Sequence, residues 1–66
     1  MNLQAVQAQT NLANAASERY ESALMAFHVH LRRGERLGQE KERLNAVTAL
    51  ECWLDAMMAA DFLSRQ

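Results

Sequence analysis

"LRRGERLG", residues Leu31 to Gly38, is the stretch that decides how the rest of the chain is arranged. It holds both glycines of a 66-residue sequence that contains no proline. No other segment carries a comparable break signal. Helix-forming residues dominate on both sides of it. The simplest arrangement is therefore all-α: an antiparallel two-helix hairpin of coiled-coil type, with residues 34–38 as the connection.

Towards the N-terminus, Tyr20, Leu24, Phe27 and Leu31 recur at a 4-3-4 spacing, which places them on one stripe of a helix. Ser17 is suited to cap that helix, and Glu18 and Glu21 would sit in its first turn, where the helix dipole favours anions. Arg32 and Arg33 occupy its last turn, and Gly34 suits the left-handed position that ends it. A first helix over 17–33 follows. Residues 2–16 are different: rich in Ala, Gln and Asn, without charge, and with Leu3, Val6 and Leu12 as their only large apolar residues. They read as a weakly held helical extension (1–16 in all) or a mobile arm.

Towards the C-terminus, a second helix is expected over about 39–63, with Glu40 and Glu42 near its start. Its segment "TALECWLDAMMAADFL", residues 48–63, is apolar almost all round. On a helical wheel it divides into two seams. Val47, Leu50, Leu54 and Met57 form a seam of large side chains. Ala49, Trp53, Ala56, Ala60 and Leu63 form a seam of mostly small ones. A chain with only two helices can cover one of these. The expectation is that the large seam closes the hairpin against Leu24, Phe27 and Leu31. The small seam, with Tyr20 and Met58 adjoining, is then left for another polypeptide, and Trp53 is its natural anchor.

Size supports the need for a partner. A chain this short buries only about 60% of the surface its unfolded form exposes, and such scaffolds usually rely on a staple, a metal or association. Cys52 is the only cysteine, which excludes an intramolecular disulfide and suits a reducing cytoplasm. The N-terminal stretch has neither the basic start nor the apolar run of a secretory signal. Glu51, Asp55 and Asp61 interrupt the most apolar segment, so no membrane span is expected.

Little in the chain points to catalysis or cofactor binding. His28 and His30 are two residues apart, about 200° around a helix, so they cannot grip one metal together. Cys52 has no His or acid to activate it except Asp55, one turn away on the same helix, and reads as a packing residue. The expectation is no enzyme, no cofactor and no metal. Arg32, Arg33 and Arg36 form a basic cluster at the connection that offers a phosphate contact, with Glu35, Glu40 and Glu42 interleaved to oppose it. The net charge of −1 does not favour nucleic acid.

The segments "ALMAFHVHLRRG", residues 23–34, and "RLNAVTALECWLDAM", residues 43–57, give the chain its resemblance to a family. It resembles the E-type co-chaperones of type III secretion needle subunits, through the "L-RRG" ahead of the turn and Ala46, Ala49 and Leu50 after it. The resemblance covers residues 17–63. It implies a cytoplasmic co-chaperone that binds and stabilises a larger helical-repeat chaperone, without catalysis. Two alternatives use the same residues differently. One is a dimeric hairpin regulator that touches nucleic acid through the arginine turn. The other is a small phage- or plasmid-borne inhibitor of a host protein. Self-association as a homodimer is compatible with each.

Overall fold

The computed structural model describes residues 2–66. It contains two helices, α1 (Leu3–Arg33) and α2 (Arg36–Ser64), packed side by side as an antiparallel hairpin. The Cα trace measures 49 × 13 × 10 Å, a rod two helices wide and one helix thick.

The connection is shorter than the spacing of the two glycines suggests. Gly34 adopts the left-handed conformation, φ 68° and ψ 23°. Its N–H donates to the Leu31 carbonyl at 3.2 Å, and the Glu35 N–H donates to the His30 carbonyl at 2.9 Å. This pair of bonds is a Schellman ending, and it satisfies two carbonyls that the helix terminus would otherwise leave open. Helix α2 starts at once, at Arg36. The expected connection over 34–38 therefore contracts to Gly34 and Glu35. Gly38 lies inside α2, and its lack of a side chain serves packing: a Cβ built there would overlap the imidazole ring of His30. The ring is held by Glu35, whose Oε1 lies 3.1 Å from His30 Nδ1, and the Gln39 amide donates to the His30 carbonyl at 3.4 Å.

The N-terminal segment is not a separate extension. Asn2 caps α1, its side chain accepting from the Ala5 N–H at 3.1 Å, and the helix runs unbroken past Ser17. Ser17 is an interior residue rather than a cap. Along the way the Thr10 hydroxyl donates to the Val6 carbonyl, and the Gln7 amide donates to Asn11. Ala13 and Ala16 are buried, as deeply as any residues in the molecule. This is the physical reason the segment holds: its alanines pack against the far half of α2.

The core corrects the assignment of the two seams. The buried residues are Ala13, Ala16 and Ala23 on α1 and Ala49 and Ala56 on α2. Trp53, Ala60 and Leu63 are half-buried beside them. The small seam, expected to be free, thus closes the hairpin. The large seam, expected to close it, is open: Val47, Leu50, Leu54 and Met57 are 43%, 43%, 46% and 43% exposed. Leu24 and Leu31, at 37% and 51%, stand with them, and of the expected core only Phe27 is half-buried between the helices. The reason is geometric. Two helices meet along a single line, and small residues on that line let the backbones approach closely. Bulky side chains then flank the line, where a two-helix rod has no third element to cover them.

Candidate interaction surface

The two long sides of the rod differ in chemistry. On one, a groove of about 250 Å³ is lined by Tyr20, Leu24, Phe27, Ala46, Val47 and Leu50, with Glu42 and Arg43 at its edge. It continues along the rod into a second depression between Ser17, Tyr20, Leu50 and Trp53. Leu54 and Met57 extend the same side of α2 by another turn, since they follow Leu50 at steps of four and three. Apart from Glu42 and Arg43 at the edge and the small Ser17, the residues lining this flank are apolar or aromatic. On the other side, the groove between the helices mixes charged and polar side chains, Glu18, Arg19, Ser22, Asn45 and Thr48, with Cys52 and the alanines at 15, 23, 26 and 49. Gln9, Arg19 and Asp55, with Leu12, Cys52 and Ala56 between them, carry this mixed lining towards the open end. One side of the rod is dry, and the other mixes charged and polar side chains with small apolar ones.

The residues expected to bind a partner are distributed unevenly over this surface. Ala49 and Ala56 are consumed in the hairpin core, and Ala60 and Leu63 are partly so. Trp53 spans both roles, half-buried beside the alanines and lining the second depression of the flank. Tyr20, expected beside the small seam, lines the groove of the large-seam flank instead. Met58, 69% exposed, stands on the outer side of α2, away from the line of contact. The large apolar residues that open onto this flank are Leu24, Val47, Leu50, Leu54 and Met57; Leu37, Leu44, Met58 and Phe62 are exposed elsewhere on α2. An exposed apolar patch of this extent marks an interaction site more often than a bare surface.

Two charged residues outside the sequence expectation end this flank on α2. Arg43 precedes Val47 by four positions and Asp61 follows Met57 by four. Arg43 pairs with Glu40 at 3.0 Å and Asp61 with Arg65 at 3.1 Å, all four side chains being exposed. Pairs of this kind contribute little stability, so these charges remain available to a partner. The spacing that carries the large seam leads directly to them in both directions.

Arg32, Arg33 and Arg36 are exposed at the tip, and among the described residues no acidic side chain lies within ion-pair distance of them. Glu35, their neighbour in sequence, is engaged with His30. His28 packs edge-on against Phe27, with ring centroids 6.1 Å apart. Cys52 is exposed on the mixed side. Among the described residues no group of three or more His, Cys, Asp or Glu side chains converges as a metal site would require. Nor, among the described residues, is any helix long and apolar enough to cross a membrane. No protein-family model matches the chain, and no curated protein or solved structure matches it.

Proposed function

We propose that this chain is a non-catalytic protein-interaction module, and that its working surface is the dry flank formed by Tyr20, Leu24, Val47, Leu50, Leu54 and Met57. The observation that carries this reading is the continuous exposure of large apolar side chains on one side of a rod whose opposite groove mixes charged and polar groups with alanines. A helical partner laid along the flank would bury these side chains by packing into the ridges of two helices at once, as in a helix-in-groove complex. The resemblance of residues 17–63 to needle co-chaperones supplies the most specific form of the reading. The chain would then work in the cytoplasm, holding a larger helical-repeat chaperone in a stable, export-ready state.

The test is a capture experiment on the flank itself. The double variant Leu50→Asp/Leu54→Asp is compared with the wild type for polypeptides retained in stoichiometric amounts from lysate of the source cell. Circular dichroism checks that the hairpin remains. The expected result is that one polypeptide, a helical-repeat protein on the co-chaperone reading, is retained by the wild type and lost by the variant. Retention of the same polypeptide by both would place the working surface elsewhere. Loss instead in Arg32→Ala/Arg33→Ala/Arg36→Ala would move it to the tip.

A further inference from the structure

We propose that the dry flank is self-complementary and that, in the absence of any other partner, it closes on a second copy of this chain as an antiparallel, two-fold symmetric four-helix assembly. This rests on the reading of the flank as an interaction surface and names its occupant.

The first support is area. The monomer exposes 5139 Å². A compact monomer of 7.5 kDa would expose about 4,250 Å². The excess, about 900 Å², is close to the roughly 800 Å² per partner that a stable interface of standard size buries. The shape agrees: the radius of gyration is 15.0 Å, against about 11 Å for a compact chain of this length. A second rod laid flank to flank doubles the thickness without lengthening the molecule.

The second support is the order of residues along α2. Arg43, Val47, Leu50, Leu54, Met57 and Asp61 are spaced 4-3-4-3-4, and the series is symmetric about position 52. At about 100° per residue all six fall within roughly a quarter-turn of the helix. In a two-fold interface, if residue i meets residue j, then j meets i. An antiparallel pairing centred on that level sets Leu50 against the partner's Leu54, and Val47 against the partner's Met57. At both ends it sets Arg43 against the partner's Asp61. A parallel pairing of α2 with its copy would instead oppose arginine to arginine and aspartate to aspartate. The apolar ladder alone would tolerate many helical partners. The opposite charges at its two ends select an antiparallel copy of the same helix.

Helix α1 is consistent with this choice. The half of its flank nearest the turn carries Leu24, Phe27 and Leu31, and the half towards the open end carries Thr10 and Ser17, with Ala13 beneath them in the hairpin core. Antiparallel copies set the bulky half of each α1 against the small half of the other, so the two surfaces fill one another.

The test uses the full chain. Sedimentation equilibrium from 1 to 200 µM is expected to show a monomer–dimer equilibrium. Arg43→Glu and Asp61→Arg, each alone, are expected to weaken the dimer roughly tenfold at low salt, since each converts two attractions into two repulsions. Combined in one chain, they are expected to restore it. A spin label on Arg33→Cys in a Cys52→Ser background reports the orientation. Turns at opposite ends of the assembly would place the two labels roughly 45 Å apart, from the helical rise between the turn and the two-fold level. A monomer at 200 µM overturns the proposal, as does a label separation under about 20 Å. Failure of the double charge exchange to restore the dimer overturns the charge pairing and with it the antiparallel register. These failures leave the interaction flank standing if Leu50→Asp/Leu54→Asp still abolishes capture of another polypeptide. If that variant changes neither association nor capture, the reading of the flank falls as well.

Discussion

At the scale of single residues, the two glycines show how one residue type answers two physical needs. Gly34 is required by its backbone, because a left-handed φ of 68° strains any residue with a Cβ. Gly38 is required by its neighbour, because the His30 ring occupies the space of a Cβ. The distinction is testable. In an ordinary helix Gly→Ala gains up to about 1 kcal/mol. Here Gly38→Ala is expected to lower stability by about 1–2 kcal/mol, as overpacking does. In a His30→Ala background the same substitution should raise stability by up to about 1 kcal/mol. Urea unfolding of the four proteins at one concentration reads out that reversal of sign. From sequence the break at Gly34 was legible, since a lone glycine after two arginines is a helix-ending pattern. Gly38 was not. A glycine four residues further on looks like more of the same turn until the imidazole beside it is known.

At the scale of elements, burial does not follow the size of side chains. Residues 2–16 have few large apolar groups, so counting such groups makes the segment look detachable. Its alanines nonetheless pack against α2, and Ala16 is fully buried. Small residues carry information about close approach, which a tally of apolar area overlooks. The same oversight governs the seams of α2. Both were visible in the periodicity, since steps of three and four mark a helical face whatever its residues. Which of them would face α1 depends on the complementary alanines at 13, 16 and 23, at least 26 residues from Ala49 along the chain. The expected consequence is that Ala16→Leu destabilises the chain by about 1–3 kcal/mol, because the helices would have to part to admit the side chain. Ala8→Leu, at an exposed position of the same segment, should change stability by no more than about 0.5 kcal/mol. Thermal unfolding of both at equal protein concentration makes the comparison, since association adds to apparent stability.

At the scale of the whole molecule, the rod is a hairpin finished on its inner line and unfinished on one flank. The alanine contact sets how close the helices lie, and that closeness is what pushes Leu24, Val47, Leu50, Leu54 and Met57 outwards. Fold and proposed interaction surface are therefore one consequence of the same packing choice. The central claim is that the small seam lies within the chain and the large seam lies between chains. Isotope-filtered methyl NOE spectroscopy on a mixture of labelled and unlabelled protein tests it directly. The account predicts intrachain NOEs linking the methyls of Ala16 and Ala23 with those of Ala49 and Ala56, and interchain NOEs from Leu54 and Met57. Interchain NOEs from Ala49 and Ala56, with Leu54 and Met57 contacting only α1 of their own chain, would contradict it.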